Sequence, residues 1–215
     1  MLYGLVIFDM DGTLTHDALD FESLHRELGL TRRTPVIEWI DTLLPQDRGP
    51  ARSVLERYEH QAAATSTLRS GALETLARLR ACGIRTALLT RNSGKSAHQI
   101  IARHQLVFDM VVSRDQPPAK PHPESIWMIT RHFGVTPART LMVGDYVFDL
   151  QVASAAGVES VLLVESEKSL PDFAHQATFH VSRLEHIVEL VESPEKFRRP
   201  AILSARGAGS IQCHL

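Results

Sequence analysis

Cysteine is scarce in this chain: Cys82 and Cys213 are the only two among 215 residues. Two thiols so far apart in sequence exclude a secreted disulfide framework and a structural zinc site, and they fit a reducing cytoplasm, which is the expected location. The chain also lacks a surplus of either charge. With a formal net charge of -2 and a pI near 6.6 there is no polybasic field, so neither nucleic acid nor a membrane is an expected partner. Long apolar runs are missing too. The first run, 2–8, has no basic leader, is too short for a signal core and ends in Asp9, and nothing elsewhere approaches the ~20 residues of a membrane span. What is present is a hydrophobic content of 44%, enough to bury a proper core.

That content is distributed in short runs. Stretches rich in Val, Ile and Leu at 5–8, 84–89, 110–113, 141–143 and 161–164 read as strands buried on both faces. Helical patterns at 72–81, 96–104, 123–133 and 147–156 alternate with them, the first closed by Gly83 and the last by Gly157. Alternation of this kind implies an α/β fold built on a doubly wound, mostly parallel sheet. Residues 15–70 break the pattern, offering only amphipathic stretches at 18–28, 35–44 and 52–65. They read as a small helical cap inserted after the first strand. The expected division is a core of 1–14 and 71–195, a cap of 15–70, and a flexible C-terminal tail of 196–215, where the chain turns basic and rich in small residues.

Polar residues matter most where strands end, because open parallel sheets bind ligands beyond the carboxyl ends of their strands. Asp9 and Asp11 follow the first strand, Thr90, Arg91 and Asn92 the second, Lys120 lies in the loop after the third, and Asp145 follows the fourth. Two acids so close together repel unless a cation or a proton separates them. Carboxylates for a hard cation, a nucleophile, and donors for phosphoryl oxygens are what metal-assisted phosphoryl transfer requires. Asn92 reads more simply as the N-cap of the helix that starts near Ser93. His16, His98, His122 and His132 share no ligand spacing with a Cys or Glu cluster and read as surface or packing residues.

Four segments, Asp9-Met10-Asp11-Gly12-Thr13, Leu89-Thr90-Arg91-Asn92, Lys120-Pro121-His122-Pro123-Glu124 and Gly144-Asp145-Tyr146-Val147-Phe148-Asp149, together resemble the motifs of the haloacid dehalogenase superfamily of hydrolases. The likeness is to its phosphatase branch, related to phosphoglycolate phosphatases. It covers about residues 2–165 and implies a Rossmann-like core with a helical cap. It implies an enzyme, a phosphoric monoester hydrolase acting on a small phosphorylated metabolite. Asp9 would be the nucleophile that becomes an aspartyl phosphate, and Asp11 the general acid and base. Gly12, Thr90, Arg91 and Lys120 would bind phosphate, and Mg²⁺ would be held by Asp9, Asp145 and the backbone carbonyl of Asp11. Asp149, one turn after Asp145, would orient Asp145, a metal-bound water or Lys120.

Two positions depart from the commonest pattern of that branch: Thr15-His16-Asp17 stands where Asp-Ser often follows the first motif, and Ser70-Gly71 lacks the usual proline. Both fall at the cap hinges, where substrate is selected. Glu22, Arg26 and Glu38 are polar cap candidates. A phosphomutase of the β-phosphoglucomutase type would use the same core, and a receiver-like phospho-accepting module would share an Asp, a Thr and a Lys. A dehalogenase would dispense with the second acid, Asp11. The expected assembly is a monomer or a weak homodimer.

Overall fold

Strand β1, Leu5–Phe8, has all four side chains buried, and they alternate between two cores. Val6 and Phe8 belong to one apolar cluster, Leu5 and Ile7 to another on the opposite face. A strand buried on both sides has no place for a polar residue, which is why its sequence is continuous rather than alternating. Burial of each such side chain contributes about 1.5–3 kcal/mol.

The computed structural model describes residues 2–31, 34–116, 118–165 and 170–197. Within them β1 is joined by β2 (Arg85–Leu89), β3 (Met110–Val112), β4 (Thr140–Gly144), β5 (Glu159–Leu163) and β6 (Phe179–Val181) in a sheet of order β3-β2-β1-β4-β5-β6. Every pairing is parallel. This is the doubly wound order, and the strand sequence reverses direction at β1, beside β4.

Three helices lie between β1 and β2 before a fourth: α1 (Phe21–Glu27), α2 (Val36–Thr42), α3 (Pro45–Thr65) and α4 (Ala72–Ala81). The later helices are α5 (Gly94–His104), α6 (Glu124–Phe133), α7 (Val147–Ala156) and α8 (His186–Glu192). Helices α4, α5 and α8 supply the Val6 and Phe8 side of the sheet with Leu76, Leu79, Ile100, Ile187 and Leu190. Helices α6 and α7 cover the Leu5 and Ile7 side with Ile126, Ile129, Val152 and Ala153. The first three helices build a separate apolar cluster of Leu24, Val36, Ile40, Ala51 and Leu55.

The doubly wound architecture agrees with the sequence expectation, with two additions. Strand β6 is three residues long with His180 at its centre, so no apolar run marks it, and α8 follows it. Of the expected tail, Lys196 ends a 3-10 turn and Phe197 packs against the larger core cluster; residues 198–215 lie outside the described residues. No helix among the described residues is long and apolar enough to cross a membrane.

The short edge strand β3 is pinned by a side chain. Asp109 accepts hydrogen bonds from the amide of Thr86 (2.8 Å) and the guanidinium of Arg85 (3.0 Å) on β2. Partial burial raises the Asp109 carboxyl, but the Thr86 amide and Arg85 outweigh it and hold it below the ordinary carboxylate value. A depressed carboxylate stabilises the fold above its unfolded-state pKa and ceases to do so as pH falls through the folded-state value. Asp109→Asn is expected to cost about 1 kcal/mol at neutral pH. In urea titrations the gap between wild type and variant should close as the pH falls below about 4; a gap that persists there would mean the charge is irrelevant.

Candidate active site

The parallel ladder extends one step past the strands and so fixes the first acid. The amide of Asp9 donates to the carbonyl of Val143 at the end of β4 (2.8 Å), and that of Thr90 to Val112 at the end of β3 (3.0 Å). Asp9 is therefore held beside the turn that carries Asp145. The carboxylates of Asp9, Asp145 and Asp149 converge, each offering an oxygen within 4.8 Å of the others.

One cation sits among them. The Lys120 ammonium, almost fully buried, donates to Asp9 and to Asp149, the latter at 2.7 Å. Burial alone would push its pKa down, yet Asp149 and Asp9 overcome this and raise it, so the lysine stays charged. Asp149 also accepts from the amide of Tyr146 (3.1 Å), which caps α7. It thus serves at once as a helix cap and as the partner that aims Lys120. The third acid, Asp145, accepts from the Thr13 hydroxyl at 2.7 Å. Burial raises its carboxyl to about 7, with Asp149 and Asp17 adding to the rise against the Thr13 bond.

Two glycines permit this crowding. Gly12 has φ +78°, and a Cβ there would stand 2.2 Å from an Asp145 oxygen; at Gly144 it would stand 2.2 Å from the Asp149 carboxyl carbon. Any side chain at either position would displace an acid of the cluster.

Asp11 is held apart. Its carboxylate accepts from the Asn92 side-chain amide at 2.7 Å, and burial, opposed by that bond and assisted by Asp17, raises it to about 6. The N-cap reading of Asn92 is thereby corrected. Ser93 caps α5, its hydroxyl accepting from the Ser96 amide, which leaves Asn92 free to reach across to the first motif. The signal was its place at a strand end, which an asparagine one residue before a serine cap does not advertise.

Thr90 is buried, and its hydroxyl oxygen accepts from the Asn92 amide at 3.1 Å. The Arg91 side chain is taken up by the helical segment and by groups beside the cluster. It pairs with both Glu38 oxygens at 2.7 Å, donates to the Lys120 carbonyl at 3.1 Å and lies over the Phe148 ring at 4.2 Å. A second acid of the helical segment, Glu59 on α3, was not expected to be buried. It pairs with Arg114, whose guanidinium also donates to the Arg91 carbonyl at 2.9 Å. Its position within the buried stripe Ala51, Leu55, Glu59, Ala63, an acid at four-residue spacing among small and apolar residues, was the available clue.

The donor chemistry suits a hard divalent cation. Among the described residues three clustered carboxylates face the Lys120 ammonium, every donor is oxygen, and the Asp145 carboxyl, bonded to the neutral Thr13 hydroxyl, is raised by its burial.

A parallel doubly wound sheet with acids, a lysine and a hydroxyl gathered at its carboxyl edge defines an open α/β protein with its polar site beyond the strand ends, and comparison with known proteins gives its family. The model of the haloacid dehalogenase-like hydrolases matches residues 6–163, so the chain belongs to that family. A haloacid dehalogenase-like hydrolase domain-containing protein of Arabidopsis thaliana is 28% identical over 204 residues, covering 87% of this chain and 83% of the relative. A phosphoglycolate phosphatase of Nitrosococcus oceani is 26% identical over 214 residues, covering 84% and 95%. The structure of the L-2-haloacid dehalogenase of Xanthobacter autotrophicus superposes with a TM-score of 0.65 at 21% identity, covering 89% of this chain and 99% of that one. Membership in a hydrolase family sets aside the receiver-like reading.

Removal of the central cation tests the electrostatic account. Lys120→Met would leave Asp9 and Asp149 without their counter-charge and is expected to lower the unfolding free energy by about 3–5 kcal/mol in metal-free buffer. Adding Asp149→Asn should recover part of that loss by urea denaturation. Additive losses would show that the two side chains are not coupled.

Proposed function

We propose that the protein is a phosphoric monoester hydrolase working through an aspartyl phosphate on Asp9. The observation that supports this over dehalogenation is the separate placement of two carboxyls in the first motif. Asp9 faces the cluster and Lys120, while Asp11 is turned to Asn92. A halide leaves as a stable anion, so only an ester needs a second acid.

In this reading the Asp9 carboxylate attacks phosphorus and the bond from phosphorus to the alcohol oxygen breaks. Asp11 gives its proton to that oxygen. A water then attacks the phosphorus of the aspartyl phosphate, Asp11 takes its proton, and Asp9 is regenerated with release of inorganic phosphate. Lys120 offsets charge on the phosphoryl oxygens and keeps Asp9 oriented; the Thr90 hydroxyl and the backbone amides near Gly12 and Arg91 are the remaining donors. Mg²⁺, held by Asp9, Asp145 and the Asp11 carbonyl, would supply the positive charge that lets a dianionic ester approach a carboxylate. A small phosphorylated metabolite is the substrate class.

Phosphate release should require Mg²⁺, cease with EDTA and return on readdition. Asp9→Asn should lower turnover by about a thousandfold or more with an unchanged circular dichroism spectrum; undiminished release would remove the nucleophile. Asp11→Asn should slow alkyl esters by about 10²–10⁴-fold and aryl phosphates far less, because an acidic phenol leaves without a proton. Equal slowing of both would deny Asp11 the acid role.

A further inference from the structure

We infer that the cavity selects phosphomonoesters whose alcohol part is uncharged and largely apolar, and that Glu38 enforces this selection by holding Arg91. The inference names the substrate class of the hydrolase reading and rests on it.

A cavity of about 480 Å³ runs from the acid cluster to the helical segment. Beyond the acids its walls include Leu19, Phe21, Val36, Ile37, Leu55 and Phe148. Among the described residues that line it, those able to carry positive charge are His25, Arg91 and Lys120, and each is committed. Lys120 is bonded to Asp9 and Asp149. The two ring nitrogens of His25 face the carbonyl oxygens of Phe21 (2.6 Å) and Thr34 (3.0 Å). Arg91 is held by both oxygens of Glu38, a residue outside the cavity lining, and is stacked on Phe148.

The lining also contains the carboxylate of Asp17 and that of Glu59, the latter already paired with Arg114. A substrate with a second acid would bring its charge among these groups and would have to strip Glu38 from Arg91 to find a donor. An uncharged alcohol part meets no such cost and buries apolar surface against the helical segment. Glu38 therefore occupies, on the guanidinium, the place that a substrate carboxylate would take.

The test compares binding of two hydrolysis-resistant probes, benzylphosphonate and phosphonoacetate, to the full chain at saturating Mg²⁺ by calorimetry. Wild type should bind benzylphosphonate at least about tenfold more tightly, and E38Q should shrink the gap about threefold through a gain for phosphonoacetate. Phenyl phosphate hydrolysis on the same preparations reports on the hydrolase reading alone, so its failure would not be mistaken for failure of the selection. Equal or tighter binding of phosphonoacetate by wild type, an unchanged gap in E38Q, or binding of neither probe would overturn the inference.

Discussion

The buried ammonium of Lys120 between Asp9 and Asp149 is the contact on which the catalytic end of the sheet depends. Acids at the tips of neighbouring strands repel, and the sheet brings them together regardless, because the ladder that pairs β1 with β4 also sets the spacing of Asp9 and Asp145. One cation offsets part of that repulsion. Asp149 contributes to both sides of the balance, as an acid that raises its neighbours and as the partner that keeps Lys120 charged. What is left over is a deficit of positive charge among the described residues, shared by Asp9 and Asp145, whose carboxyls burial and neighbouring acids both push up.

That deficit explains a division of labour between chemically identical side chains. Asp9 and Asp11 are two residues apart, yet the turn after β1 sends one toward the cluster and the other toward Asn92. The left-handed backbone of Gly12 makes the turn possible, and its missing side chain leaves room for the Asp145 carboxylate. Backbone geometry, more than residue type, thus decides which carboxyl faces Lys120 and which faces Asn92.

How much of this was legible in the sequence follows from how local each cause is. Buried strands announce themselves in β1, β2, β4 and β5, since a strand covered on both faces is apolar along most of its length, while the edge strand β3 shows through its unbroken apolar run although only Val112 is buried. Strand β6 has only Phe179 and Val181 buried, with His180 between them, so no apolar run marks it. The acids and Lys120 were visible because each stands at a strand end and the four motifs occur in order. Pairings across the fold were not: Asn92 with Asp11 spans 81 residues and Arg114 with Glu59 spans 55. Nothing in the local pattern around Asn92 distinguishes a helix cap from an arm reaching to another strand, so the commoner role was expected. Glu38 was recognisable as polar and within the helical segment, but its partner Arg91 belongs to the second motif and meets it only through the fold.

Two of the ion pairs that join the helical segment to the strand ends differ in kind. The Glu59 carboxylate is 3% exposed and Arg114 is 15% exposed. A pair so enclosed is costly to break, about 3–5 kcal/mol when one partner is removed, because the other charge is then stranded. Glu38 is 46% exposed, and a pair of that exposure contributes roughly 0–1 kcal/mol. Attachment of the helices therefore rests on Glu59 and on apolar packing, and losing the Glu38 contact would scarcely loosen them. Glu38 holds its guanidinium through a single nitrogen, Nη2, which donates to both carboxylate oxygens at 2.7 Å, whereas Glu59 takes two nitrogens of Arg114. A contact that adds little to stability but fixes the orientation of a cation at the cavity wall acts on what the cavity accepts rather than on how the chain folds.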